Sequence, residues 1–137
     1  MKPRLKFFID NCLPNRLAVA INLLDRANEV RHLQRKFDPA TEDVYWIQAL
    51  SKEGGWIIVT SDLLYRGAAE KAALEQSGIP VCFLKSGWSK LPLWEQASKL
   101  MHWRPRILDQ ASRIKPGHYF SVPVSGSKIE SGRIASA

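Results

Sequence analysis

Residues 56–62 read Trp-Ile-Ile-Val-Thr-Ser-Asp, and they are the clearest indication of a buried strand in the sequence. Its apolar part shows no alternation with polar residues, which is typical of a central strand covered on both faces. Three other apolar runs of strand length, at residues 5–9, 30–33 and 81–84, are bounded by polar, Gly or Pro residues. Helical patterns separate the four runs, and this alternation predicts a parallel sheet with right-handed crossovers.

The helices between the strands are predicted from caps and apolar spacing. Pro14 suits the first turn of the first helix, with Asn11 as its cap. A second helix is predicted to begin near Thr41, where two acids would complement its dipole. A third is predicted over residues 68–76 and ends at Gly78.

The pattern changes after the fourth strand. An amphipathic helix follows, and Pro105 is expected to break or restart it. Residues 118–124 are predicted to form an edge strand, because Pro123 would interrupt a central one. We therefore predict a single-domain three-layer α/β/α sandwich with a mainly parallel sheet over residues 1–124. A flexible Ser- and Gly-rich tail is predicted over residues 125–137.

Composition narrows the class of protein. The 137 residues are 45% hydrophobic and 24% charged, as in one globular domain. Two cysteines are too few for a disulfide framework or a Cys-rich zinc site. The absence of a long apolar stretch and of a signal-peptide pattern predicts a cytoplasmic protein. The net charge of +7 favours anionic partners, of which nucleic acid is the commonest.

Acidic residues follow the predicted strands where a site is expected. Asp10 follows the first strand and Asp62 the third, while Asp43 opens the helix that leads into the third. The carboxyl ends of parallel strands share one edge, where sites form. Carboxylates held together repel one another unless a hard cation such as Mg²⁺ or Mn²⁺ lies between them. Neutralising one of the three is therefore expected to raise the melting temperature of the metal-free protein.

Each acid taken singly is also a reasonable helix cap or first-turn dipole partner. Glu42 competes with Asp43 for the second position. We prefer Asp43 because the apolar residues that follow it then face the core. Asn11, Thr60 and Ser61 are candidates for supporting roles beside the acids.

Three stretches carry a resemblance to a known family. Residues 7–14 read Phe-Phe-Ile-Asp-Asn-Cys-Leu-Pro, residues 40–47 read Ala-Thr-Glu-Asp-Val-Tyr-Trp-Ile, and residues 57–62 end in Thr-Ser-Asp. In order and spacing these resemble the acidic motifs of PIN-like nuclease domains, across residues 5 to 85. The segment beyond is similar to the extension of the VapC-type toxins of that superfamily.

The resemblance implies a metal-dependent endoribonuclease that leaves a 5′-phosphate and a 3′-hydroxyl. Asp10, Asp43 and Asp62 would be its catalytic metal ligands for Mg²⁺ or Mn²⁺. The resemblance also implies the toxin of a toxin–antitoxin pair, with a cognate antitoxin protein and a homodimer. Many PIN domains have a fourth acid, for which Glu70 or Glu75 would have to reach.

Basic residues supply candidate contacts to RNA. Arg66 lies about one turn beyond Asp62, and Arg31, Arg35 and Lys36 follow the second strand. Such residues would track a phosphate backbone.

Two other functions stay open at this point. One is a non-catalytic PIN-fold module that binds nucleic acid or a partner, which the missing fourth acid favours. The other is a phospho-receiver-type signalling domain built on Asp62, Thr60 and Lys85. Receivers place paired acids after the first strand, where this chain has only Asp10.

Overall fold

A six-stranded sheet forms the middle layer of the protein. The computed structural model describes residues 6–24, 29–63 and 66–137. The strand order is β2-β1-β3-β4-β5-β6, with the first five strands parallel and β6 antiparallel to β5. The strands are β1 (Lys6–Ile9), β2 (Glu29–His32), β3 (Trp56–Thr60), β4 (Val81–Leu84), β5 (His118–Val122) and β6 (Glu130–Arg133).

Helices cover both faces of this sheet. They are α1 (Asn15–Leu24), α2 (Leu33–Lys36), α3 (Asp43–Glu53), α4 (Ala68–Ser77) and α5 (Leu93–Arg113), with 3₁₀ turns at Trp88–Lys90 and Ile134–Ser136. Apolar residues of α1 and α5 pack on one face of the sheet. Those of α3 and α4 pack on the other. The predicted three-layer α/β/α fold with a mainly parallel sheet is therefore confirmed.

Alternation along the central strands explains the two cores. Phe7 and Ile9 of β1 point to the α1/α5 side, whereas Phe8 points to the α3/α4 side and packs against Trp46. All five residues of β3 are buried, which confirms it as a central strand covered on both faces. Burying each large apolar side chain contributes about 1.5–3 kcal/mol to the stability of the fold. Both helix layers therefore hold the central strands in place, and with them the polar residues at the strand ends.

Two predictions about helices are wrong. Pro105 lies inside α5 and does not break it, because the buried Trp103 and Ile107 on either side hold one apolar face against the sheet. Asn11 does not cap α1, which begins at Asn15. The side-chain oxygen of Asn11 instead accepts a hydrogen bond of 2.6 Å from the Nε2 of Gln34.

The prediction of an edge strand after α5 is also wrong. Pairing with β6 covers β5, and Pro123 falls one residue beyond β5, where it removes no ladder hydrogen bond. The segment 125–137 thus contributes a strand and the fully buried Ile134. Its flexibility concerns motion and stays a prediction, as does the division of the chain at residue 124.

No helix in the described part of the chain is both long enough and apolar enough to cross a bilayer.

Candidate functional site

Asp10 is a buried carboxylate at the end of β1, and only 4% of the residue is exposed. Its N–H donates to the carbonyl of Val59 at 3.0 Å, so the pairing of β1 with β3 continues up to the acid. Its Oδ1 accepts from the backbone N–H of Asn11 at 2.7 Å, and its Oδ2 accepts from the hydroxyl of Thr60 at 2.8 Å. These donors hold the carboxylate in one orientation.

The end of β3 is tied to the same place. The Oγ1 of Thr60 accepts from the N–H of Asp62 at 3.0 Å while it donates to Asp10. The N–H of Ser61 donates to the Sγ of Cys12 at 3.2 Å, which links the turn after β3 to the turn after β1. The carboxyl ends of the two central strands therefore form one connected edge, as expected for a parallel sheet.

Asp43 reaches this edge from α3. It is the first residue of the helix, where a negative charge suits the helix dipole. Its Oδ1 accepts from the indole Nε1 of Trp46 at 2.9 Å, which fixes the side chain. Glu42 precedes the helix, makes no side-chain capping bond and is exposed.

Arg66 joins the two carboxylates. Its Nη2 donates to the Oδ2 of Asp10, and its Nη1 donates to the Oδ2 of Asp43 at 3.0 Å. The guanidinium lies 5.8 Å from the ring centre of Trp46. The side chains of Arg66 and Asp10 are both only 6% exposed, whereas that of Asp43 is 38% exposed. A buried charge is tolerated when it is paired in this way.

The charge of Arg66 is the main electrostatic feature of the site. Burial lowers the pKa of Arg66, and the negative charge of Glu70 opposes that shift. An arginine side chain stays protonated in proteins, so a positive charge lies among the acids. Among the residues that the structure describes, the buried Nε of Arg66 has no hydrogen-bond partner.

The structure brings some of the predicted residues together and leaves others apart. Asp10 and Asp43 meet at Arg66, and Asp62 is linked to Asp10 through its backbone N–H and the hydroxyl of Thr60. Within residues 6–24, 29–63 and 66–137, no three His, Cys, Asp or Glu side chains are grouped so that they could hold a metal ion. In this arrangement the donor set does not fit a divalent cation, because both Oδ2 atoms already bind the guanidinium.

The two candidates for a fourth acid lie at opposite ends of α4. Glu70 lies in the first turn, with its Oε2 2.6 Å from where a Cβ on Gly67 would be, and its charge acts on Arg66. Glu75 packs beside Gly117, which precedes β5 at the amino end of the strands. Only Glu70 is therefore placed near the site.

The predicted RNA-binding residues after β2 occupy different surroundings. Arg31 is exposed and pairs with Glu29 at 2.8 Å. Arg35 donates to Asn15 and borders a depression of about 360 Å³ that also reaches Asn11. Lys36 pairs with Glu53 at 3.1 Å and lies over Trp56, at the amino end of β3. Arg35 is thus beside the acidic edge, whereas Lys36 points away from it.

His32 is a site residue that the sequence analysis did not select. It is the last residue of β2 and is buried. Its Nδ1 accepts from the N–H of Gln34 at 3.1 Å, so its Nε2 donates to the carbonyl of Leu13 at 2.7 Å. Burial lowers the pKa of His32, the hydrogen bond to Leu13 opposes this, and the charge of Arg35 adds to it. The neutral ring therefore clamps the turn that follows Asp10.

Fold and site together define the class: a parallel α/β domain with an acid pair and an arginine at the carboxyl ends of its central strands. Residues 5–86 match the family model of the PIN-like domain. This match spans more than half of the chain, and the chain belongs to the PIN-like domain family. No curated protein and no solved structure matches it. Membership is consistent with a nuclease or a nucleic-acid-binding role, and the VapC-type assignment stays a prediction.

Proposed function

We propose that this chain is an endoribonuclease that hydrolyses RNA phosphodiester bonds at the edge formed by Asp10, Asp43 and Asp62. One observation carries the proposal. Asp10 and Asp43 converge from β1 and α3 on the same guanidinium, in a family whose members are generally nucleases. Convergent acids with a buried positive charge at strand ends are more typical of a reaction centre than of separate helix caps.

The side chains match what phosphodiester hydrolysis requires. The attacking water must lose a proton, and charge develops on the phosphate oxygens. Asp43 is the more exposed acid, so a water molecule can reach it, while Asp10 is held by Thr60 and Asn11. The planar fork of Arg66 fits a phosphate as well as a carboxylate. RNA would therefore compete with the acids for Arg66, which is buried against them.

Mg²⁺ or Mn²⁺ as the cofactor stays a prediction. A divalent ion at Asp10 and Asp43 would have to replace the guanidinium of Arg66, since both Oδ2 atoms bind it. The assignment as a toxin, with a cognate antitoxin and a homodimer, rests on the resemblance to VapC-type proteins alone.

A second candidate function is a PIN-fold module that binds nucleic acid without cleaving it. The ion pairs of Arg66 favour this candidate, because they satisfy both acids within the chain. Membership of the PIN-like family leaves the phospho-receiver alternative without support.

Cleavage of end-labelled single-stranded RNA, in EDTA and in Mn²⁺, separates the two candidates. For the nuclease, the wild type cuts internally and Asp10→Asn loses about 10²–10⁴-fold in rate, the usual contribution of a positioned acid or base. Arg113→Ala, which breaks an exposed ion pair with Asp109, serves as the control and keeps its rate. Intact RNA under every condition, with binding retained, would establish the binding module instead.

A further inference from the structure

A basic groove lies between α5 and the turn that joins β5 to β6. Its volume is about 390 Å³, and none of the residues that line it is acidic. Lys99, His102 and Arg106 form one wall, and Ser125 and Ser127 belong to the other. This groove is separate from the Asp10–Asp43–Arg66 site, with which it shares no lining residue.

The spacing of the cationic wall is that of a helix face. Lys99, His102 and Arg106 follow one another at three and four residues, so their side chains project in one row. The guanidinium of Arg106 lies 4.5 Å from the ring centre of the buried Trp103, which supports it from below. Stacking on an aromatic ring holds the guanidinium in place, and its fork of donors fits phosphate oxygens.

The charges of this wall are not neutralised by any ion pair among the described residues. Elsewhere Lys36 pairs with Glu53, Lys85 with Glu130 and Arg113 with Asp109. In the part of the chain that the structure describes, Lys99 and Arg106 make no such pair. Both charges are therefore available to an anion that enters the groove.

The opposite wall supplies hydroxyl donors at the functional edge of the sheet. The turn after β5 contains Ser125 and Ser127, with Gly126 in a left-handed conformation at φ +92°. Val124 of this turn packs beside Gly87, which follows β4 at the carboxyl end of that strand. The end of β1, where Asp10 lies, and the end of β5 are three strand spacings apart, about 14 Å. A bound strand of a few nucleotides can therefore touch both places.

We propose that this groove binds the sugar–phosphate backbone of single-stranded RNA, with Lys99 and Arg106 on its phosphates. The proposal rests on the nucleic-acid-binding part of the proposed function and not on cleavage. The donors and the positive charge suit phosphate, and the net charge of +7 favours a polyanion. Free phosphate offers the same chemistry at a single point and is distinguished by experiment.

The test measures the affinity of a fluorescent single-stranded RNA by anisotropy as salt is raised. All proteins carry Asp43→Asn to limit cleavage, and the RNA is checked to be intact afterwards. The groove variant is Lys99→Ala with Arg106→Ala. The matched control is Lys52→Ala with Lys115→Ala, which removes the same charge from exposed positions beside the amino ends of the strands. A third protein, with Arg106→Lys, keeps the charge of the groove.

Each phosphate contact contributes about 0.7 to the salt slope for a single strand. The groove variant should therefore flatten the slope of log affinity against log salt concentration by about 1.4. Its loss of RNA affinity should be roughly 25-fold larger at 0.1 M salt than at 1 M salt. The RNA affinities of the control and of Arg106→Lys should stay within about threefold of the affinity of the Asp43→Asn protein. Equal losses in the groove variant and the control would overturn the proposal, because they would report net charge alone. Competition by inorganic phosphate with unchanged RNA affinity in the groove variant would likewise overturn it.

Discussion

Replacing Arg66 by alanine removes the positive charge that the two acids share. Asp10 is left buried with the hydroxyl of Thr60 and the N–H of Asn11 as its remaining donors. Removing one partner of a buried ion pair costs about 3–5 kcal/mol. Because Asp43 is 38% exposed and Asp10 keeps two donors, we expect the lower end of that range, about 3 kcal/mol.

This loss is large enough to measure by thermal unfolding. For a chain of 137 residues, 1 kcal/mol shifts the melting temperature by about 4 °C, so Arg66→Ala should melt about 12 °C lower at pH 7 in EDTA. Arg66→Lys keeps the positive charge but loses the two-pronged donor group of the guanidinium. Its melting temperature should therefore lie between those of the wild type and Arg66→Ala. Arg31→Ala breaks an exposed pair with Glu29 and should cost at most about 1 kcal/mol.

Manganese provides the second half of the same test. With the guanidinium gone, Asp10 and Asp43 become available to a cation, and Mn²⁺ at 100 times its Kd would restore about 2.7 kcal/mol. The wild type should gain less, because Arg66 already binds both carboxylates. A melting temperature of Arg66→Ala within 2 °C of the wild type, with no response to Mn²⁺, would refute the role given to this arginine.

Three further predictions concern stability. Asp10→Asn should lower the free energy of unfolding in EDTA by about 1–3 kcal/mol, and with it the melting temperature, because Arg66 loses its buried partner. A higher melting temperature would instead indicate that the acids repel one another as unpaired charges. The pKa of His32 is lowered on folding, so the unfolded chain binds its proton more readily and stability should fall as the pH drops below 6.5. Urea titrations at several pH values should show this slope, and His32→Gln should flatten it. Gly132→Ala would place a Cβ 2.8 Å from the Tyr119 hydroxyl and should cost about 1–3 kcal/mol by overpacking. An unchanged urea midpoint for Gly132→Ala would instead indicate that residues 125–137 are undocked in solution.

The fold could be predicted because its signals are local. The uninterrupted apolar run of β3 and the alternation of strands with helices determine a parallel sheet, whichever residues lie at its edge. The strand β6 could not be predicted in this way. Its sequence, Glu-Ser-Gly-Arg at Glu130–Arg133, has no apolar periodicity, and only pairing with β5 makes it a strand.

The site could be predicted in part for a similar reason. Asp10 and Asp62 follow strands directly, so topology alone places both at one edge. The predicted rise in melting temperature on neutralising one acid assumes three unpaired carboxylates. The structure instead places the positive charge of Arg66 between Asp10 and Asp43. Nothing in the spacing of Arg66 shows whether it faces RNA or turns back onto the acids, since that depends on tertiary packing such as its contact with Trp46.

The acid pair at the strand ends is the proposed reaction centre for RNA hydrolysis. The neighbouring residues Glu42 and Asp43 offer the most direct test, because neutralising either one changes the charge equally. Asp43 binds Arg66 and Trp46, whereas Glu42 is exposed. We predict that Asp43→Asn lowers the rate of single-stranded RNA cleavage by about 10²–10⁴-fold, while Glu42→Gln stays within about threefold of the wild type. Equal rates for the two variants, or a loss confined to Glu42→Gln, would contradict the account.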